Sequence, residues 1–132
     1  MTAVERDGAP APIGASTPAA ADRQAPGGIS VVTPTLDRPD DVRALLHTLA
    51  AQTVCPLELV LVDGGADTMR ATERVVAELR DAMPYAIQYI RATGGTAAQR
   101  NVGIDAARGA FVAFIDDDML LEPPFFEVML AE

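Results

Sequence analysis

Residues 111–118 read Phe111-Val-Ala-Phe-Ile-Asp-Asp-Asp118, five apolar side chains running directly into three consecutive carboxylates. A short continuous apolar run that ends in polar residues is the pattern of a strand buried on both faces, as in a parallel sheet. The carboxylates then stand where the strand leaves the sheet. Three adjacent negative charges repel one another unless something positive offsets them. A divalent cation held by oxygen ligands is one such partner. Asp-Asp-Asp in isolation reads as a solvated turn. After a buried strand in an α/β pattern the cation reading gains weight, because ligands in such folds bind at the carboxyl ends of the strands.

The rest of the chain supplies that pattern. Thr96 and Gln99 have capping-box spacing and open a helix that Gly109 stops. Ala86-Ile-Gln-Tyr-Ile90 is a weaker strand, placed near a sheet edge by Gln88. Leu57-Glu-Leu-Val-Leu-Val62 is a buried strand, and a helix reaching about Leu79 follows it with Val75, Val76 and Leu79 inward. Ile29-Ser-Val-Val-Thr33 is the earliest of the core strands, and Pro34 is expected to end it. Asp37 is the expected N-cap of the next helix, whose Val42, Leu45, Leu46 and Leu49 fall on one face while His47 points away from it. Pro123 and Pro124 introduce a last helix at Phe125-Phe-Glu-Val-Met-Leu130. The order β-α-β-α-β-α-β-α with short loops predicts an α/β fold, a Rossmann-like parallel sheet with alternating helices.

At 132 residues the chain is long enough for one domain with a modest core. Residues 1–28 are dominated by Ala, Pro and Gly and are expected to form a disordered leader, leaving 29–132 as the domain. The net charge of -9, with Arg as every basic residue, argues against a nucleic-acid partner. A single cysteine, Cys55, precludes an internal disulfide. No apolar run approaches the roughly 20 residues of a membrane span. The reading is a cytoplasmic chain, peripheral to a membrane only through segments outside this sequence.

Four loops follow the four strands, at Pro34 to Arg38, Asp63 to Asp67, Thr93 to Arg100 and Asp116 to Asp118, and a parallel sheet brings all four to one edge. Gly94-Gly95 allows close backbone approach at a helix N-terminus, which favours an anion. Arg100 is placed either to meet a phosphate or to pair with one of the many acids. The loop after Ile29–Thr33 lacks the Gly-x-Gly-x-x-Gly of a dinucleotide site, and the chain has no Lys for a P-loop. A response-regulator receiver and an Asp-x-Asp-x-Thr phosphatase would both need acids after the first strand, and a nucleotidyltransferase would need a Gly-rich basic loop there.

Together these residues resemble the nucleotide-binding half of glycosyltransferase family 2, which has the GT-A fold. Ile29-Ser-Val-Val-Thr-Pro-Thr-Leu-Asp-Arg-Pro39 is similar to the family's first strand and Pro-Thr-x-Asn-Arg turn. Leu49-Ala-Ala-Gln-Thr53 is similar to its Leu-x-x-Gln-Thr helix end, and Leu57-Glu-Leu-Val-Leu-Val-Asp-Gly-Gly65 to its Glu-hydrophobic-Val-Asp-x-Gly strand. Gly94-Gly-Thr-Ala-Ala-Gln-Arg-Asn-Val-Gly-Ile104 resembles its Gly-x-x-x-Ala-Arg-Asn-x-Gly helix, and the run through Asp116-Asp-Asp118 its Asp-x-Asp strand. Each motif alone is weak, and five in order are specific. Asp37 stands in place of the usual Asn, and Gly64 where many members carry a second Asp that reads uracil, so the resemblance leaves the base open.

The resemblance implies an inverting transfer of sugar from a nucleoside-diphosphate-sugar donor to an acceptor hydroxyl on a saccharide, lipid or other molecule, with Mn2+ or Mg2+ as cofactor. It places Pro34, Thr35 and Arg38 around the nucleoside and Asp63 at the base-contacting loop. Arg100 would reach base or diphosphate, Asp116 and Asp117 would lie near ribose and sugar, and Asp118, assisted by Asp116, would ligate the metal. No residue of the chain suits the general base, which is expected beyond Glu132. The chain is accordingly read as the donor half of a longer enzyme, inactive in transfer by itself, with its sheet edge uncovered beside the Phe111 strand. The alternative is a non-catalytic nucleotide-sugar-binding module or regulator.

Overall fold

The apolar runs become the strands of one sheet. The computed structural model describes residues 3–5, 23–66 and 68–131. Strands β1 (Ala3–Glu5), β2 (Ile29–Thr35), β3 (Glu58–Asp63), β4 (Ala86–Arg91) and β5 (Phe111–Phe114) pair in the order β1-β5-β2-β3-β4. Strands β2 to β5 are parallel to one another, and β1 is antiparallel to β5. Helices α1 (Pro39–Ala50), α2 (Ala71–Leu79), α3 (Thr96–Ala106) and α4 (Phe125–Leu130) alternate with the strands, and a short 3-10 turn (Arg80–Ala82) follows α2. The expected α/β architecture is therefore present. All six positions of β3 are buried, whereas β4, carrying Gln88, lies at the sheet edge.

The period of two along each strand separates two cores. Val31, Leu59 and Leu61 pack with Val42, Leu45, Leu46 and Leu49 of α1, Val75 and Val76 of α2, and Phe126 of α4. Val32, Val60, Val62 and Val112 face the other way, onto Val102, Ile104 and Ala106 of α3. That second layer is thin because α3 approaches through Gly103. A Cβ at Gly103 would come within 2.3 Å of Val32 Cγ1. Gly103→Ala should therefore overpack the contact, lowering stability by about 1–3 kcal/mol in a thermal melt. An unchanged midpoint would contradict the close approach of α3 to β2.

Several local expectations need correction. Pro34 does not end its strand, which continues to Thr35 with Pro34 opposite Val62. Ile115 N–H donates to Val32 O on one side of β2 and Gly64 N–H to Thr35 O on the other. By alternation Pro34 faces the β5 side, where pairing has ended at Val32, so its missing N–H deprives no neighbour. Asp37 is not the N-cap of α1. That position is Arg38, without a side-chain capping bond, and Asp37 has the left-handed φ of 52°. The capping box at Thr96 and Gln99 does not form either, because Gly95 caps α3 without a side chain. The edge beside β5 is covered by β1, not open. The disordered leader expected over residues 1–28 lies largely outside the described residues. At its two ends, Ala3–Glu5 is a strand, and Arg23 to Gly28 are bonded to the domain through Cys55 N–H to Arg23 O, Arg23 to Gln52 O and Ala110 N–H to Gly27 O.

Candidate functional site

Loops from β2 and β5 and the start of α3 meet at the carboxyl edge of the sheet around a cavity of about 310 Å³. Its walls are Pro34, Thr35, Leu36 and Arg38 from β2 and the loop after it, Thr96 and Gln99 from α3, and Asp116, Asp117 and Asp118 after β5. Six of the eight site residues expected from sequence line one space: Pro34, Thr35, Arg38 and the three acids. Asp63 and Arg100 are not among the lining residues.

The three carboxylates are not equivalent. Asp117 is buried, accepting a hydrogen bond from Thr35 Oγ1 at 2.8 Å, with Arg38 Nη1 at 3.4 Å. Burial pushes its carboxyl above the usual range, against the opposing pull of Thr35 and Arg38. Asp116 and Asp118, two residues apart, are exposed on either side of it. Asp116 pairs with Arg100 Nη2 at 3.4 Å, so the acid-pairing reading of Arg100 holds in this structure. The Arg100 guanidinium also lies 5.8 Å over the Phe114 ring, and its buried Nε has no hydrogen-bond partner among the described residues. Asp118 is the one carboxylate of the three without a hydrogen bond or ion pair among the described residues. The whole loop is clamped from behind. Thr48 exchanges hydrogen bonds with Leu121, Gln52 Nε2 donates to Glu122 O, and Gln52 Oε1 accepts from Phe126 N–H. Because Thr35 tethers Asp117 across the gap between β2 and β5, Thr35→Val should leave a buried carboxylate one donor short. The expected loss is roughly 1–3 kcal/mol in chemical denaturation; a variant as stable as the parent would show that the tether contributes nothing.

Asp63 is held away from the cavity. Its buried carboxylate accepts from Gly65 N–H at 2.8 Å and from the Tyr89 hydroxyl, with Arg91 Nη1 at 3.7 Å. Burial first, and then the Asp63 carboxylate, push the Tyr89 phenol up to about 12, so it remains a neutral donor. Tyr89 and Arg91 escaped the sequence reading because their link to Asp63 depends on the β3–β4 register, which sets Arg91 opposite Asp63. Its spacing from Thr96 marks Gln99 only as a cap. It instead turns inward and donates from Nε2 to Thr35 O at 3.1 Å and Val62 O at 2.8 Å. The sequence signal that could have exposed it is Gly64, whose absent side chain leaves the space that the carboxamide fills.

Among the described residues no three His, Cys, Asp or Glu side chains form a group that could hold a metal ion. Asp118 and Asp116 offer hard oxygen donors beside the cavity, which fits an ion whose coordination is completed by substrate phosphate and water, and does not fit a closed protein cage. No helix among the described residues is long and apolar enough to cross a membrane.

The profile of the family Glycosyl transferase family 2 matches residues 30–132. The chain belongs to glycosyltransferase family 2. It is similar to the uncharacterized glycosyltransferase YibD of Escherichia coli (strain K12), with 31% identity over 103 residues, covering 77% of this chain and 29% of YibD. Among solved structures it resembles S. aureus TarS 1-349 in complex with UDP-GlcNAc, with 28% identity, a TM-score of 0.64, and coverage of 79% of this chain and 30% of that one. It also resembles the mannosyltransferase PcManGT from Pyrobaculum calidifontis in complex with GDP-Man and Mn2+, with 26% identity, a TM-score of 0.61, and coverage of 70% and 28%. These two structures share the Rossmann-like GT-A sheet seen here. The chain spans between a quarter and a third of the length of three curated glycosyltransferase relatives that it matches.

Proposed function

We propose that this chain binds the donor of a sugar transfer, a nucleoside-diphosphate-sugar, with a divalent metal, Mn2+ or Mg2+, and that the reaction delivers the sugar with inversion to an acceptor hydroxyl on a saccharide, lipid or other molecule. The observation that carries this reading is the single cavity shared by Pro34, Thr35, Arg38 and the Asp116–Asp118 loop. Asp118, helped by Asp116, would hold the ion; when bound, it offsets the charge of the diphosphate and stabilises it as a leaving group. Pro34, Thr35 and Asp117 shape the nucleoside side of the site. Arg38 stands half exposed at the cavity with its charge only partly engaged by Asp117, and so adds positive potential for the diphosphate. Arg100, paired with Asp116 next to the cavity, would add positive charge for the base or diphosphate. Asp63 acts through the loop it fixes with Gly65, as a positioning residue for the base-side wall. The acceptor and its general base have no assigned residues in the chain.

Support comes from family membership and from relatives crystallised with UDP-GlcNAc or with GDP-Man and Mn2+. Calorimetry of the chain with UDP-GlcNAc and GDP-Man, in Mn2+ and then in EDTA, tests the proposal. At least one donor should bind in Mn2+ and lose most of its affinity in EDTA. Equal binding in the two buffers would remove the metal, and no binding of any nucleotide sugar would remove the donor site.

A further inference from the structure

We infer that Gln99 reads the nucleobase, accepting a hydrogen bond from an N–H on the base edge and thereby setting which base the cavity takes. This rests on the donor-site reading above and adds the group that selects within it.

Gln99 is 5% exposed and lines the cavity. The orientation of its carboxamide follows from its partners. Two backbone carbonyls, Thr35 O and Val62 O, can only be met by the amide nitrogen, so Nε2 commits both hydrogens to them. Oε1 is then left as an acceptor without a partner among the described residues, and it is not among the buried atoms sealed from solvent. The two anchors also fix its place, over the junction of β2 and β3. The acids stand on the opposite side of β2, after β5. The cavity therefore has a charged wall on the β5 side and the uncharged Gln99 on the β3 side, with Pro34 and Leu36 adding apolar surface to the lining. Metal, diphosphate and ribose suit the first. A flat ring with apolar faces and a polar edge suits the second. Gly64 makes the arrangement possible, since a Cβ there would meet Gln99 Nε2 at 2.9 Å and Cδ at 3.1 Å. A side chain at that position would push the carboxamide from its present place.

The test compares UDP, GDP, CDP, ADP and inorganic pyrophosphate by calorimetry with the native chain in Mn2+. One nucleotide should bind at least about tenfold tighter than the weakest. Methylating the base nitrogen that carries its edge hydrogen (N3-methyl-UDP, for uracil) should remove that margin. Gln99→Leu, confirmed folded by circular dichroism, and Gly64→Ala, which displaces the carboxamide, should both bring the nucleotides to one affinity and leave pyrophosphate binding unchanged. A mere staple between β2 and β3 would alter the melting temperature without compressing the spread. The inference is overturned if the native chain binds all four nucleotides alike, if methylation costs nothing, or if a folded Gln99→Leu keeps the native preference. Should neither variant fold, the methylated nucleotide on the native chain decides. Binding of none of the four sinks the donor site itself, a result separate from binding of all four alike.

Discussion

Replacing Asp118 with Ala should weaken Mn2+-dependent binding of a nucleoside diphosphate by at least about 100-fold, since losing even a group that only supports a metal ligand costs 10–100-fold. The three acids divide by what already holds them. Asp117 is buried under Thr35 and Arg38, and Asp116 is paired with Arg100, which leaves Asp118 exposed and unengaged beside the cavity. An unengaged carboxylate gives up nothing within the protein when it takes a cation. Asp117→Ala should act differently, removing the anchor of Thr35 and Arg38 and so lowering stability along with affinity. Calorimetry in Mn2+ and in EDTA, beside thermal melts of both variants, separates the two roles. Native-like, EDTA-sensitive binding by Asp118→Ala would show that the ion is held elsewhere.

Glu58→Ala should lower the melting temperature by on the order of 10–20 °C, the consequence of roughly 3 kcal/mol lost in a domain of this size. Glu58 is 2% exposed, at the sheet edge opposite the site. Its carboxylate accepts from Ser30 Oγ, Gln88 Nε2 and Arg108 N–H, each at 2.7 Å, and Ser30 Oγ in turn accepts from Gly109 N–H. These bonds join β2, β3 and β4 to the turn between α3 and β5. Removing the acceptor takes a partner from three buried or half-buried donors, of which Gln88 Nε2 alone keeps a second one, Ala106 O. Glu58→Gln keeps the shape but sets an amide nitrogen among donors, so it should recover only part of the loss. A shift below about 2 °C for the Ala variant would mean that the turn is held by packing alone. Nucleotide affinity in the folded fraction should be unchanged, because none of these groups lines the cavity.

How much of this was legible in the sequence depended on whether a residue acts along the chain or across it. The strands at Leu57–Val62 and Phe111–Phe114 and the face of α1 were legible, since a continuous apolar run and a period of three to four residues survive in the linear order. The gathering of Pro34, Thr35, Arg38 and the three acids was legible as well, because a parallel sheet delivers every following loop to one edge. What failed was local chemistry that tertiary contacts override. Asp37 and Thr96 have the right side chains to cap helices, yet one sits at a left-handed turn and the other is already inside α3. Gln99 was assigned to its own helix end when its partners are Thr35 and Val62, 64 and 37 positions away. The hold of Tyr89 and Arg91 on Asp63 requires knowing the register of two strands. The edge strand at Ala3–Glu5 lay in a segment whose composition speaks for disorder.

The central claim is that the carboxyl edge of the sheet, and no other surface, takes a metal-bound nucleoside diphosphate. Paramagnetic broadening of backbone amide resonances by Mn2+ in the presence of the preferred nucleoside diphosphate tests it most directly. The account predicts that broadening centres on residues 116–119, extends to 34–38 and 95–100, and spares the turn at Arg80–Ala82 and the Glu58 cluster at the far edge. Broadening centred on residues 80–87, where a second cavity lies, or spread evenly over the acidic surface, would contradict it.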